Sequence, residues 1–131
     1  MFLDASAMIA IIVREEDGPA LANRLAQTGQ VHTSPMAICE TVLAVARIRN
    51  ADTVGAQRVV DRFLSAAQVE IIPITAEIGR GAVRAFERYG RRRHPASLNM
   101  GDCFAYACAR ALGVPLLYKG DDFALTDLAA G

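Results

Sequence analysis

Residues 100–120, MGDCFAYACARALGVPLLYKG, contain the unit that decides the fold. The helical spacing of 100–112 predicts a helix, with Asn99 as a favourable N-cap and Gly113 as its end. The apolar run 116–118 predicts a short strand that stops before Gly120. A helix followed closely by a short apolar strand is typical of the repeating unit of α/β domains.

The same alternation extends through the rest of the chain. Helices that connect successive strands imply crossover connections and a parallel sheet, and strands made of continuous apolar residues suit a sheet covered on both faces. We therefore predict a single α/β domain over residues 1–131, with a parallel sheet of four or five strands. The predicted strands are 1–3, 31–33, 70–74 and 116–118, and the predicted helices are 5–13, 20–27, 35–48, 53–64, 76–86 and 100–112.

The composition excludes several classes of protein. The chain has 131 residues, of which 53% are hydrophobic and 21% charged, so it can fold around a core of its own. Lys+Arg and Asp+Glu each number 14, which excludes a nucleic-acid binder that works through overall positive charge but not one with a local basic strip. Only 6% of residues are aromatic and Trp is absent, so base-stacking platforms are not expected.

Cysteine and histidine usage argues against a zinc site and for a reducing environment. The three cysteines form no CxxC motif, and the two histidines lie far apart in the sequence. Free thiols in apolar sequence suit the cytoplasm, which is the predicted location. The apolar stretch 1–13 is too short for a membrane span and contains Asp4, so it is interpreted as core rather than as a signal peptide.

Carboxylates recur at the edge of the predicted sheet where ligands bind. In open α/β sheets, ligands bind beyond the carboxyl ends of the strands, and Asp4 directly follows the first strand. Asp4 is also a good N-cap for the next helix, and its position alone does not decide between these two roles. Asp121 and Asp122 follow the last predicted strand at the same edge.

Glu40 is the most informative acid, because its neighbours on the predicted helix are apolar. The residues three and four positions away are Met36, Ala37, Leu43 and Ala44. This spacing predicts that Glu40 lies on the stripe that faces the sheet. A carboxylate there is costly unless it is paired, hydrogen-bonded or bound to a cation. The alternative to a functional role is a buried ion pair, with Arg47 as the candidate partner.

Asp102 opens the helix of the unit that decides the fold. As the third helical residue after Asn99, it suits the helix dipole and a capping-box bond, which is a purely structural role. The helix is rich in small residues over 105–111, however, so it packs closely and is expected to direct Asp102 into a crowded site. Clustered carboxylates without basic partners repel one another, and oxygen-only ligands suit Mg²⁺ or Mn²⁺ rather than zinc.

Four segments of the chain together resemble a known family. They are FLDASA with Asp4, ICET with Glu40, LNMGDCFAYA with Asp102, and LLYKGDDF with Asp121 and Asp122. Over residues 2–127 the chain is similar to the PIN domain, and more narrowly to VapC-type toxins of bacterial toxin–antitoxin systems. The motif around Asp102 is the most specific part of this resemblance.

The resemblance implies a fold, an activity and partners. The implied fold is a three-layer α/β/α sandwich around a parallel sheet. The implied activity is that of a Mg²⁺-dependent endoribonuclease, with Mn²⁺ as an alternative ion. The resemblance also implies a homodimer that is inhibited by a VapB-type antitoxin, whose tail blocks the active site.

Within the resemblance, Asp4, Glu40 and Asp102 match the family's acidic triad. Asp4 and Asp102 are expected to bind Mg²⁺ directly, because this ion keeps several waters and needs only one or two carboxylates. Glu40 is expected to bind the ion through water or to orient the attacking water.

The fourth acid of the family pattern has no direct counterpart here. Gly120 stands where many relatives have the first Asp of an Asp-x-Asp pair, and Tyr118 stands where they have Thr. Glycine permits a sharp turn, so we assign Asp121 to the site as the residue turned back over the strand ends. Asp122 is assigned to the cap of the short turn that follows.

Positive charge near the acids is expected to bind the RNA. Arg91, Arg92 and Arg93 form the only dense basic run, and they lie just before the helix that carries the acid of the LNMGDCFAYA motif. Such a loop can dock the RNA backbone. Lys119 is a further candidate, and Ser6 is expected to hydrogen-bond the scissile phosphate. The alternatives are a solvated loop and an ordinary serine of the first helical turn.

Two other functions are compatible with the residues alone. A receiver-like phosphoacceptor domain shares the alternating topology, and Asp4 and Lys119 would take its acid and lysine positions. Against it, no Asp ends the second or third strand, and Glu40 and Asp102 lie on helices. A catalytically silent interaction domain is the other alternative, although a pocket of three acids without a metal is costly to retain.

Overall fold

The computed structural model describes residues 1–128, which form a four-stranded parallel sheet flanked by helices. The strands lie in the order β3-β2-β1-β4, and every neighbouring pair is parallel. The elements in chain order are β1 (Phe2–Leu3), α1 (Ala5–Ile12), α2 (Gly18–Ala26), β2 (His32–Thr33), α3 (Pro35–Arg49), α4 (Thr53–Ala66), β3 (Glu70–Ile71), α5 (Ala76–Tyr89), α6 (Met100–Leu112), β4 (Leu116–Leu117) and a 3₁₀ turn (Asp122–Leu125).

Adjacent residues of each central strand point to opposite faces of the sheet, and each face has its own core. Phe2 and Leu116 pack against α5 and α6, whereas Leu3 and Leu117 pack against α1, α2, α3 and α4. The register aligns Phe2 with Leu116 and Leu3 with Leu117, so side chains that face the same layer stand side by side. The predicted three-layer α/β/α sandwich is confirmed.

The edge strand β3 differs from the prediction in length and burial. It spans Glu70–Ile71 rather than 70–74, and both of its residues are exposed. Ile72 instead turns inward into the core beneath α5 and α6, and Pro73 has no N–H with which to continue the pairing. The expectation that each strand is buried on both faces is therefore correct for β1 and β4 and wrong for β3.

The helices begin at residues whose side chains or rings suit a helix start. Five N-cap side chains accept a backbone N–H bond: Asp4, Ser34, Asp52, Thr75 and Asn99. Helix α2 begins at Gly18, earlier than predicted, because Pro19 fits the first turn, where its missing N–H costs nothing. None of the helices within residues 1–128 combines the length and the apolar content needed to cross a membrane.

The carboxyl edge of the sheet collects the segments that carry the predicted acids. Asp4 follows β1, and α3 begins directly after β2. Residues 113–115 connect the end of α6 to the start of β4, so the N-terminus of α6 lies back at the carboxyl edge. The segment 118–122 leaves β4 at the same edge.

Candidate active site

Asp4 is a buried carboxylate that is fixed by its own helix. The residue is 4% exposed, and its Oδ2 atom accepts hydrogen bonds from the Ser6 backbone N–H at 3.1 Å and from the Ser6 hydroxyl at 2.5 Å. The Lys119 backbone N–H donates to that hydroxyl at 3.0 Å and so ties α1 to the segment after β4. Asp4 is thus the N-cap of α1. Its other carboxylate oxygen, Oδ1, makes neither of these bonds and can bind another ligand.

Glu40 reaches from α3 to the first turn of α6, where it lies against Gly101. A Cβ atom at position 101 would lie 2.3 Å from Glu40 Oε2 and 2.8 Å from Oε1. Only glycine therefore leaves room for this carboxylate beside Asp102. Among residues 1–128 no ion pair of Glu40 is present, so the alternative of a buried pair with Arg47 is not observed.

The apolar stripe predicted around Glu40 is rotated in the structure. Leu43 is 56% exposed, and Glu40 is half-buried at the border of the buried face rather than at its centre. The expectation for Leu43 is therefore wrong. The buried residues of α3 are Ala37, Thr41, Val42, Val45 and Ala46.

Asp102 forms the capping box that its spacing from Asn99 suggested. The Asn99 N–H donates to Asp102 Oδ2 at 3.1 Å, and the Asp102 N–H donates to Asn99 Oδ1 at 2.8 Å. The capping bond uses one carboxylate oxygen, so the structural role of Asp102 and its place in the acidic site coexist. The buried residues of α6 are mostly small, as expected: Gly101, Cys103, Ala105, Tyr106, Ala107, Cys108 and Ala109.

The two acids after β4 differ in their effect on the other carboxylates. Asp121 is exposed at the N-cap of the 3₁₀ turn and makes no side-chain capping bond. Asp122 is exposed as well, but its carboxylate adds to the rise that burial causes in the pKa of Asp4 and of Asp102. Gly120 adopts the left-handed backbone that the turn requires, with a φ of 96°.

Burial and neighbouring carboxylates raise the pKa values of Asp4, Glu40 and Asp102. Burial, and then the charges of Asp4 and Asp102, raises the pKa of Glu40 to about 7. Burial raises the pKa of Asp102 to about 6; the Asn99 N–H bond opposes this rise, and the charges of Asp4 and Asp122 add to it. Among residues 1–128 none of these acids has a basic partner. A bound cation would relieve the repulsion.

The donor set fits a hard divalent cation that keeps part of its water shell. The side chains gathered at the site offer carboxylate oxygens, which Mg²⁺ and Mn²⁺ prefer. Within the described chain, no group of three Asp, Glu, His or Cys side chains lies close enough to form a ligand set by itself. Because Mg²⁺ needs only one or two carboxylates, Asp4 and Asp102 fit this ion as direct ligands.

The predicted basic run lies on the loop between α5 and α6. Arg91, Arg92 and Arg93 are exposed, and the backbone bridge between Gly90 and Leu98 closes the loop beside the start of α6. Arg93 pairs with Glu87 on α5 at 3.3 Å. Arg91 and Arg92 have no ion pair among residues 1–128, so their charges are available to an anion.

Lys119 and Ser6 are engaged within the fold. The Lys119 ammonium group pairs with Glu15 and, at 3.6 Å, with Asp17 on the connection between α1 and α2. Lys119 would have to release both of these acids before its ammonium group could contact RNA. This orientation also disfavours the receiver-like alternative, in which the lysine would face Asp4. The Ser6 hydroxyl is directed at Asp4, whose carboxylate it positions.

Two features of the region around the site were missed at the level of sequence. One is Gly101, for which a glycine in the first turn of a helix is the available signal, because glycine is a poor helix former. The other is Asp127, which lies against α5 and α6. Its carboxylate accepts a hydrogen bond from the Tyr106 hydroxyl at 2.5 Å. It also lies 3.5 Å from Arg88 and 3.7 Å from Arg110. No local sequence pattern predicts the contact between Asp127 and Tyr106.

The chain matches characterised proteins over its whole length. The family model of the PIN domain matches residues 1–128. A VapC ribonuclease of Rhizobium meliloti is 39% identical over 139 residues, which cover 97% of this chain and 98% of the relative. A ribonuclease VapC of Mycolicibacterium smegmatis is 38% identical over 130 residues, which cover 99% and 98%.

Solved structures share the fold at lower sequence identity. VapC20 of Mycobacterium tuberculosis, a toxin that cleaves the sarcin–ricin loop, matches with a TM-score of 0.78 and 21% identity over 99% of this chain and 97% of that one. VapBC2 of Rickettsia felis, bound to DNA from its promoter, matches with a TM-score of 0.69 and 18% identity over 99% and 96%. The family model and the close relatives together show that this chain belongs to the PIN-domain family, among the VapC ribonucleases.

Proposed function

We propose that this protein is a metal-dependent endoribonuclease, a single catalytic domain over residues 1–131, that acts as the toxin of a type II toxin–antitoxin pair. The observation that carries the proposal is that Glu40 of α3 lies against the first turn of α6 beside Asp102, with Asp4 at the same edge of the sheet. The charge of Asp122 also acts on Asp4 and Asp102, and none of these acids has a basic partner among residues 1–128. Relatives named as VapC ribonucleases support the activity, and the sarcin–ricin loop cleaved by VapC20 supports an RNA substrate.

Each acid of the site has its own role in phosphodiester hydrolysis. Asp4 and Asp102 hold the Mg²⁺ or Mn²⁺ ion, which, when bound, neutralises negative charge on the phosphate and lowers the pKa of water. Glu40, held against Gly101, orients the water that attacks phosphorus as the bond to the leaving oxygen breaks. Asp122 acts as an outer acid through water, and Asp121 does not belong to the site.

The remaining polar residues position the acids or the RNA. Ser6 fixes Asp4 by occupying its Oδ2 atom, which directs Oδ1 toward the ion. Arg91 and Arg92 contact the RNA backbone, because their charges are unpaired within the described chain and they lie on the loop that leads into α6. Such contacts position the strand without reading its sequence.

We extend the proposal to a protein inhibitor and a homodimer. Similar folds occur in a toxin–antitoxin complex from Klebsiella pneumoniae and in VapBC2, which supports a VapB-type antitoxin as partner. The acidic cluster is the strongest anionic site on the carboxyl edge, so the antitoxin is expected to insert a basic side chain there. A complex that leaves the pocket open and the enzyme active would contradict this expectation. The homodimer follows from the family resemblance.

RNA cleavage with and without metal tests the activity. The substrate is a stem–loop RNA with the sarcin–ricin sequence, treated with the protein in EDTA and again after Mg²⁺ or Mn²⁺ is restored. We expect cleavage only with the ion, and loss of most cleavage in Asp102→Asn. The matched control is Asp61→Asn on the exposed face of α4, which should cleave like the original protein. Equal cleavage by Asp102→Asn and the control would refute the proposal.

A further inference from the structure

The zero net charge of the chain conceals a separation of charge on the surface. Residues 76–94, which form α5 and the start of the following loop, contain six arginines but only two glutamates. The candidate site gathers four of the chain's 14 Asp and Glu residues. A negative centre with a positive flank suits a partner that carries many negative charges and also reaches a bound cation.

A groove of about 490 Å³ lies between α5 and α6. Its lining includes the guanidinium groups of Arg84, Arg88 and Arg110, and the acid among its lining residues is Glu77. Glu77 is shared by two arginines, Arg84 at 3.3 Å and Arg80 at 3.5 Å. All of these side chains are largely exposed, so the pairs are loose and contribute little to stability.

A second shared carboxylate joins α5 to α6 beside the groove. Asp127 is shared by Arg88 and Arg110, and it accepts the hydroxyl of the buried Tyr106. The two carboxylates, Glu77 and Asp127, are therefore shared among four arginines, which leaves a surplus of two positive charges in this set. The contacts at Asp127 also demonstrate that donors from α5 and α6 converge well enough to hold an anionic oxygen.

One wall of the groove is formed by α6, the helix whose first turn carries Asp102. Tyr106 follows Asp102 by one turn of α6 and Arg110 follows by two, a distance of about 12 Å at 1.5 Å per residue. Helix α5 runs back along α6, because the loop between them closes at the Gly90–Leu98 bridge, and the rings of Tyr89 and Tyr106 lie 5.5 Å apart. A strand whose scissile phosphate lies at Asp102 would continue along this groove.

We propose that the groove between α5 and α6 binds the phosphodiester backbone of the RNA on one side of the cleavage site, with Arg84, Arg88 and Arg110 as phosphate contacts. The proposal rests on the proposed ribonuclease function and names the surface that the substrate occupies. Asp127 stays in place, because the phosphates neutralise the surplus charge rather than replace the carboxylate. Since Tyr106 is buried, the groove holds the backbone and not stacked bases.

The salt dependence of RNA binding tests the proposal. Binding of a fluorescein-labelled sarcin–ricin stem–loop is followed by anisotropy in EDTA over a series of KCl concentrations. The test variant carries Arg84→Gln, Arg88→Gln and Arg110→Gln. Loss of three phosphate contacts should make the slope of log K against log[KCl] shallower by about 2. Arg84→Gln alone, which leaves the contacts of Asp127 intact, should make it shallower by about 0.7.

A matched triple variant separates the groove from overall charge. Arg24, Arg58 and Arg62 are exposed on α2 and α4, and their replacement by Gln removes the same charge. We expect its salt slope to equal that of the original protein. An unchanged slope in the groove variant, or an equal change in the control, would overturn the proposal.

Cleavage by the original protein separates this result from the proposed function. If that protein cleaves RNA with Mg²⁺ while the groove variant keeps its slope, only the groove assignment fails. If that protein neither binds nor cleaves RNA, the function itself fails and the groove assignment fails with it.

Discussion

Replacement of Gly101 by alanine should reduce activity without reducing stability. The new Cβ atom would lie 2.3 Å from Glu40 Oε2 and 2.7 Å from its Cδ. Because non-bonded heavy atoms approach to about 3.5 Å, the carboxylate must retreat by about 1 Å. Glu40 has a flexible side chain, so it can relieve the clash by rotation. Alanine also favours a helix by about 1 kcal/mol over glycine, so the free energy of unfolding should stay constant or rise.

The expected loss of activity follows from the displacement of the carboxylate. A misplacement of about 1 Å in a group that orients the attacking water costs about 100-fold, or about 2.7 kcal/mol of transition-state stabilisation. The assay is kcat/KM on a stem–loop RNA with saturating Mg²⁺, with urea unfolding of the same preparation. The matched control is Gly79→Ala on α5, where a Cβ atom meets nothing within 4 Å. That variant should retain full activity.

A double-mutant cycle shows whether Gly101 acts through Glu40. In the Glu40→Gln background the alanine should cause little further loss, because the carboxylate that it displaces is already gone. Full activity of Gly101→Ala, or the same 100-fold loss in both backgrounds, would refute the reasoning.

The remaining predictions concern the acid after β4, the contact made by Asp127, and pH. Asp122→Asn should lower RNA cleavage more than Asp121→Asn in a direct comparison of rates, because only Asp122 acts on the other acids; equal rates would contradict this placement. Asp127→Asn should lower the free energy of unfolding in urea by about 1 kcal/mol, because the Tyr106 hydroxyl loses a charged acceptor; unchanged stability would argue against the contact. Since the pKa of Glu40 is raised to about 7, the folded protein binds more protons than the unfolded chain between about pH 4 and pH 7. Calorimetry of the metal-free protein should therefore give a lower melting temperature at pH 8 than at pH 5.5, and Mg²⁺ should reduce the difference; a rise with pH would contradict the sign.

The layers of the fold could be predicted because each depends on local signals. Short apolar runs, capping residues and glycine stops mark the strands and helices, and the alternation of Phe2 and Leu3 assigns one side chain to each face. The edge strand could not be bounded in the same way. Three of its five predicted residues are isoleucine, with Pro73 as a break, and only tertiary packing turns Ile72 inward and leaves Ile71 at the surface.

In the candidate site, too, the features set by local sequence could be predicted and those set by tertiary packing could not. Asp4 and Asp102 stand at the starts of helices that a few neighbouring residues define. Their location at the carboxyl edge then follows from the topology of the sheet. The choice between Asp121 and Asp122 depends on the rotation of a turn, and the partner of Lys119 depends on a connection that is distant in sequence. Residue pattern does not encode either of these. The rotation of α3 that exposes Leu43 is likewise set by its packing against neighbouring helices.

Manganese binding measured by electron paramagnetic resonance tests the central claim most directly, namely that the acids at the carboxyl edge hold the ion that supports cleavage. The signal of free Mn²⁺ is followed during titration of the original protein, of Asp4→Asn, of Asp102→Asn and of the control Asp61→Asn, and RNA cleavage is measured in the same samples. The account predicts that the original protein and the control bind Mn²⁺ and cleave RNA, and that both site variants lose binding and cleavage together. Unchanged Mn²⁺ binding in Asp4→Asn and Asp102→Asn would contradict it.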